Sequence, residues 1–157
     1  MKIISLLLFF PCFLYGKIFT KIIHKPIYES MDICNAHHVV LLKKTPFEDH
    51  QTEYNDLYAV DFSPNNDITK WNVALHILLG KKVKGKIQVF YVDKCDSSTF
   101  IQTILDDPEK LTSVDSIKDF DLDIYRKIQD WDPSFQLYQH NCQHFSRYIV
   151  YNALHYP

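Results

Sequence analysis

The stretch His37-His38-Val39-Val40-Leu41-Leu42 decides the fold, because a continuous run of apolar residues follows two histidines. Such a run is typical of a strand that is buried on both faces. Residues 57–62 predict a second strand, and the charged stretch 43–55 between the two predicts a loop. A short antiparallel connection is the simplest way to join these strands, so we expect them to pair.

The rest of the chain alternates helical and strand patterns without an internal repeat. After turn residues at 63–66, Asp67 can cap a helix that Gly80 ends. The apolar positions of this helix follow helical spacing: Ile68, Trp71, Leu75 and Leu78. Later segments predict a third strand at 86–93, a helix opened by Ser97 or Ser98 that runs to 105, a weaker helix at 117–131 and a short strand or turn at 135–138. The sequence therefore predicts an α+β fold, in which a small antiparallel sheet packs against helices.

The C-terminal segment places a cysteine at the start of a helix. In Asn141-Cys142-Gln143-His144-Phe145, Asn141 suits the N-cap position, and Cys142, Phe145, Ile149 and Ala153 share one helical face. A cysteine in the first turn lies among backbone amides at the positive end of the helix dipole, which stabilises a thiolate. The same amides can stabilise an oxyanion. Cys142 is therefore a candidate nucleophile.

A cysteine nucleophile needs a base, and the base needs a third group to orient it. His37 and His38 begin the first strand and face opposite ways, and a histidine directed into the core needs a partner. Asp61 interrupts the second strand, where a buried carboxylate also needs one. We predict that Asp61 orients His38, which exchanges a proton with Cys142. His144 is a fallback base that is less favoured than His38, because it points away from the first-turn amides, and His37 is a supporting or fallback residue.

Each predicted site residue also fits a structural role. His38 fits a hydrogen-bonded histidine of the core or edge. Asp61 fits a cap of the turn at 63–64, and Cys142 fits an inert thiol on a core helix. The enzyme interpretation depends on the three residues occurring together.

A metal site is a further alternative. If residues 140–144 were extended, His140, Cys142 and His144 would lie on one side of a strand and could bind zinc. Helical spacing from Phe145 onward argues against a strand there. We therefore expect neither a metal nor a cofactor.

The N-terminus has the pattern of a secretory signal. Lys2 precedes an apolar run, Ile3–Tyr15, and Gly16 offers a cleavage site. The run is shorter than the roughly 20 residues that cross a membrane. We expect residues 1–16 to be a signal peptide and residues 17–157 to be one domain, secreted or in the secretory-pathway lumen. Membrane association is expected only if the N-terminal segment is retained.

Composition and cysteine count limit the class of protein further. Hydrophobic residues make up 46% of the chain, which excludes a disordered one, and the net charge of -2 predicts no nucleic-acid partner. The mature chain would hold Cys34, Cys95 and Cys142, and an odd count in an oxidising compartment suggests one disulfide and one thiol. Pairing of Cys34 with Cys95 would leave Cys142 as the thiol. Three buried thiols, or a disulfide between chains, are the alternatives.

These residues resemble the permuted papain-like superfamily. Asn141-Cys142-Gln143-His144-Phe145 is similar to the Asn-Cys-Glu-His-Phe motif of the lecithin:retinol acyltransferase group, with Gln143 at the glutamate position, and to the Asn-Cys-x-x-Phe of PPPDE-type isopeptidases. NlpC-type peptidases belong to the same superfamily. The histidine strand precedes the cysteine helix, which is the order of the circularly permuted members. By this resemblance the family's base falls on His38, its nucleophile on Cys142 and its second-strand polar residue on or near Asp61, whereas residues 67–133 match no part of the family.

The resemblance implies a permuted papain-like domain with the nucleophile helix at the C-terminus. It also implies a hydrolase or acyltransferase that forms a thioester intermediate with an amide, isopeptide or ester substrate. The partner would be a peptide, a modified protein or a lipid-type acyl substrate. The alternative, from a different class, is a catalytically inactive secreted binding module that retains the fold.

Overall fold

The computed structural model describes residues 18–25, 37–50, 52–65, 70–96, 100 and 107–153. Several predictions fall outside these residues: the signal peptide at 1–16, the cap Asp67, Cys34 and most of the helix at 97–105. Among the described residues, no helix is both long enough and apolar enough to cross a membrane.

The described residues form an α+β fold, as predicted. The strands are β1 (Phe19–Lys25), β2 (His37–Lys43), β3 (Glu53–Pro64), β4 (Val83–Asp96), β5 (Leu111–Thr112) and β6 (Ser134–Phe135). The helices are α1 (Trp71–Leu78), α2 (Asp115–Phe120), α3 (Leu122–Asp130) and α4 (Cys142–Ala153).

The sheet is antiparallel, with the order β1-β2-β3-β4-β5, and β6 pairs with the start of β4. The predicted pairing of the first two core strands is confirmed, and its register places Val39 opposite Asp61. Strand β1 was not predicted. It pairs along the whole of β2, with His24 opposite His38, so its formation depends on a partner that is distant in sequence.

Strand β2 is buried on both faces, as the apolar run predicts. On one face Val40 and Leu42 join a core that includes Phe145 and Ile149 of α4. On the other face Val39 and Leu41 join a second core, formed with residues of β3 and β4 and with Phe100. Because side chains alternate along a strand, each face of β2 supplies a different core. This packing holds α4 against the sheet.

Two helices differ from the sequence prediction. Helix α1 begins at Trp71, with Lys70 as an N-cap whose side chain makes no capping hydrogen bond, and Gly80 follows its end with φ +70°. The predicted helix at 117–131 is two helices, because Asp121 has an extended backbone that ends α2. Its carboxylate then caps α3, accepting a hydrogen bond of 2.8 Å from the amide of Ile124.

Candidate active site

The start of α4 is capped by Asn141, as predicted. Its Oδ1 accepts hydrogen bonds from the backbone amides of Gln143 at 2.9 Å and His144 at 3.2 Å. Its Nδ2 donates to the carbonyl of Leu137 at 2.5 Å, which ties the helix to the preceding turn. Asn141 therefore fixes Cys142 as the first residue of the helix.

The Asn141 cap reduces the number of backbone amides that could stabilise an oxyanion. Two amides of the first turn, those of Gln143 and His144, already donate to the Asn141 side chain. They cannot bind a substrate oxygen without releasing the cap, because each amide has one hydrogen. The amides of Gln143 and His144 are therefore not available as oxyanion donors while the cap is in place.

His37 lies between Asp61 and Cys142. Its Nε2 is 2.6 Å from Oδ1 of Asp61, and its ring also hydrogen-bonds the side chain of Cys142. The geometry follows from the sheet register. Asp61 is opposite Val39, and His37 is two residues from Val39 on the same face of β2, so the two side chains meet diagonally. Cys142 comes from α4 and is 5% exposed.

The charge of His37 is set by these two neighbours. Burial opposes the charged form, but hydrogen bonds and charge interactions with Asp61, and then with Cys142, raise the pKa of His37 from 6.5 to about 10. His37 is therefore an imidazolium at neutral pH. A protonated histidine between a carboxylate and a cysteine sulfur is the arrangement that stabilises a thiolate.

The buried carboxylate of Asp61 is in turn stabilised by His37. The residue is 6% exposed, so its carboxylate is largely removed from water. The 2.6 Å ion pair with His37 is its compensation. A buried carboxylate without such a partner would be strongly destabilising.

His38, the predicted base, contacts His24 and Ser146. Its ring contacts His24 edge-on at 4.5 Å between centroids, and its Nδ1 is 3.0 Å from Oγ of Ser146 on α4. Burial, and then the charges of His24, Arg147 and His37, lower its pKa below 6.5. The structure thus brings Asp61 and Cys142 together with His37, which was predicted only as a supporting or fallback residue, and not with His38.

Ser146 is a residue that the sequence analysis missed. It is completely buried, and its hydroxyl donates a hydrogen bond of 3.0 Å to the carbonyl of Gln143. That leaves its oxygen to accept the Nδ1 hydrogen of His38. The signal in the sequence was its position four residues after Cys142, on the same helical face.

No protein-family model, curated protein or solved structure matches this chain. The relation to the permuted papain-like superfamily therefore stays a prediction.

The remaining predicted residues lie at the edge of the site. His144 is exposed, and its Nδ1 is 2.9 Å from Oδ1 of Asn141. The ring of His140 stacks on Trp131 at 4.2 Å, and its Nδ1 is 2.6 Å from the carbonyl oxygen of Ser134. The zinc alternative required a strand over 140–144, but α4 begins within this segment. Among the described residues, no group of three or more His, Cys, Asp or Glu side chains has an arrangement that could hold a metal ion.

Of the two cysteines in the predicted disulfide, the structure describes Cys95. Cys95 forms no disulfide with another described cysteine, and its Sγ is 3.3 Å from the carbonyl oxygen of Asp96. Cys34 lies outside the described residues, so its pairing with Cys95 stays a prediction.

Proposed function

We propose that the chain is a cysteine hydrolase or acyltransferase of permuted papain-like arrangement, which acts through a thioester on an amide, isopeptide or ester bond. The observation that carries the proposal is the position of His37 between Asp61 and Cys142. Cys142 is the nucleophile, His37 the acid and base, and Asp61 the group that orients His37. The proposed base is thus His37, whereas the sequence analysis predicted the adjacent His38.

The proposed reaction begins with attack of the Cys142 thiolate on the substrate carbonyl carbon. A sulfur–carbon bond forms, and the leaving nitrogen or oxygen departs with the proton of the His37 imidazolium. The neutral imidazole then takes a proton from water, or from an acceptor hydroxyl or amine, which attacks the thioester and releases Cys142. Nε2 faces Asp61, so Nδ1 is the ring nitrogen left for these transfers.

The charges in the site favour this order of reaction steps. Cys142 is one of the two groups that raise the pKa of His37 to about 10. Acylation of the sulfur removes that contribution, so the pKa of His37 falls as the thioester forms. His37 is then a better proton donor to the leaving group, and afterwards a neutral base for the second step.

The proposed substrates are those that the motif implies: a peptide, a modified protein or a lipid-type acyl compound. We also propose that the protein acts after secretion or in the secretory-pathway lumen. The low exposure of Cys142 favours a second candidate, an inactive binding module in which the thiol is only a core residue. The two candidates differ in the reactivity of Cys142.

Reactivity is tested by alkylation with iodoacetamide at pH 7, followed by mass spectrometry of the Cys142 peptide. The His37→Gln variant should react at least about tenfold more slowly than the wild type, because the imidazolium that stabilises the thiolate is lost. Equal rates in the wild type and His37→Gln would overturn the role of His37.

Two matched variants complete this experiment. His38→Gln changes the adjacent histidine and should alter the Cys142 rate by less than about twofold, since His38 contacts Ser146 instead. The double variant His37→Gln/Asp61→Asn removes both charges and separates reactivity from folding. A p-nitrophenyl ester should acylate the wild type at Cys142 and not Cys142→Ala. Absence of this acyl-enzyme, with slow alkylation, would support the binding module.

A further inference from the structure

Helix α1 and its C-cap residue, Leu79, expose several large apolar side chains. Trp71 is 76% exposed, Leu78 56% and Leu79 62%, and Leu75 is also exposed. These residues stand at positions i, i+4, i+7 and i+8 and so share one side of the helix. Ile77 is the buried residue of α1. We call the four exposed residues the α1 stripe. The helical spacing in this segment was predicted, but the stripe is turned to solvent.

The stripe lies in the most basic part of the chain. Residues 68–92 contain no aspartate or glutamate, although the whole chain has a net charge of -2. The same segment contains five lysines, all of them exposed: Lys70, Lys81, Lys82, Lys84 and Lys86. Lys70 directly precedes α1, and Lys81 and Lys82 follow its end. The apolar side chains are therefore flanked by positive charge at both ends of the helix.

Tyr138 extends the apolar surface beyond α1. Its side chain is 65% exposed, and its hydroxyl donates a hydrogen bond of 2.8 Å to the carbonyl of Leu78. Its ring also lies against Gly80, where an added Cβ would be only 3.0 Å away. Tyr138 belongs to the turn that Asn141 holds through Leu137. The stripe is thus connected to the segment that precedes the candidate nucleophile.

We propose that the α1 stripe binds the surface of an anionic phospholipid bilayer. Tryptophan and leucine side chains insert at the boundary between headgroups and acyl chains, while lysines beside them attract anionic headgroups. A second copy of the chain fits this surface less well, because two basic rims would then face each other. This association would be independent of the N-terminal segment, and so departs from the expectation that membrane association requires that segment to be retained. It does not depend on the reactivity of Cys142.

The fluorescence of Trp71 reports the binding directly. Full-length protein is mixed with vesicles of phosphatidylcholine alone, or of phosphatidylcholine with phosphatidylserine. With phosphatidylserine present, Trp71 emission should shift to shorter wavelength and be quenched by brominated lipids. The chain has two tryptophans, so the signal that remains in Trp71→Phe is that of Trp131 and is subtracted. An unchanged emission would overturn the proposal.

Paired variants identify the surface. Leu75→Ser/Leu78→Ser should weaken vesicle binding about tenfold or more, and Lys81→Glu/Lys82→Glu should do the same. The controls are Leu122→Ser and Lys118→Glu, which change exposed residues of α3 and α2 and should leave binding unchanged. The N-terminal segment is common to all variants. Equal binding by the stripe variant and its control would contradict the proposal. So would a dimer that Leu75→Ser/Leu78→Ser dissociates while vesicles leave Trp71 unaffected.

Discussion

At the scale of single residues, two adjacent histidines of β2 have pKa values that are shifted in opposite directions. The pKa of His37 is raised to about 10, whereas that of His38 is lowered below 6.5. Burial disfavours the charged form of both. His37 gains a buried carboxylate and the Cys142 side chain as partners, whereas His38 has no such partner among the causes of its shift and lies near His24 and Arg147. The partners of each ring therefore decide whether burial lowers its pKa or is outweighed.

The His37–Asp61 pair leads to a prediction about stability. His37→Ala leaves the Asp61 carboxylate buried without its cation, which should lower the free energy of unfolding by about 3–5 kcal/mol. His37→Gln/Asp61→Asn removes both charges and should be clearly more stable than His37→Ala. Urea denaturation at pH 7 measures the difference. Equal stability of the two variants would show that the pair is not a coupled unit.

At the scale of elements, the start of α4 is the most constrained part of the site. The side chain of Asn141 satisfies two first-turn amides and also binds the preceding turn. Phe145 and Ile149 anchor the same helix in the core. The position of Cys142 relative to His37 thus depends on a cap at one end and on packing along one face.

We predict that Asn141→Ala lowers the free energy of unfolding by about 1 kcal/mol, because both capped amides lose their acceptor. Asn141→Ser should recover most of this loss, since serine is a comparable N-cap. Urea titrations of the three proteins provide the comparison. If Asn141→Ala were as stable as the wild type, the cap would contribute nothing to α4.

At the scale of the whole molecule, the candidate site lies where three distant segments meet. Strand β2 supplies His37, β3 supplies Asp61 and α4 supplies Cys142. One face of β2 packs on α4, and the other packs on the second core. Because both faces are buried, β2 cannot shift its register without exposing one of the cores. The sheet thereby fixes the relative positions of the histidine and the carboxylate.

The raised pKa of His37 predicts how stability depends on pH. An unfolded histidine loses its proton near pH 6.5, whereas native His37 keeps it up to about pH 10. Between these values the native state binds more protons at this residue, so its contribution to the free energy of unfolding falls as pH rises. The slope is at most about 1.4 kcal/mol per pH unit, and the contribution is complete below pH 6.5.

Urea denaturation from pH 6 to 10 tests this dependence. The stability difference between the wild type and His37→Gln/Asp61→Asn should shrink as pH increases, since the variant lacks the titrating pair. Groups that titrate alike in both proteins cancel in the difference. A difference that stayed constant, or that grew with pH, would contradict the raised pKa.

The sequence by itself determined the features that depend on short-range pattern. The apolar run after His38 predicted β2, the alternation at 86–93 predicted the centre of β4, and Asn141 predicted the start of α4. Each of these follows from side-chain periodicity or from hydrogen bonds within a few residues. The chemical candidates Cys142 and Asp61 were found in the same way, as residue types that interrupt or begin such patterns.

Only the tertiary structure decided which of these candidates meet. Alternation showed that His37 and His38 face opposite ways, but the pairing of Val39 with Asp61 was needed to place the carboxylate beside His37. Strand β1 likewise forms by pairing with β2. The exposure of Trp71 could not be predicted from the sequence either, because helical spacing defines an apolar face but does not show whether another element covers that face. Register and packing join residues far apart in the chain, and no local pattern contains that information.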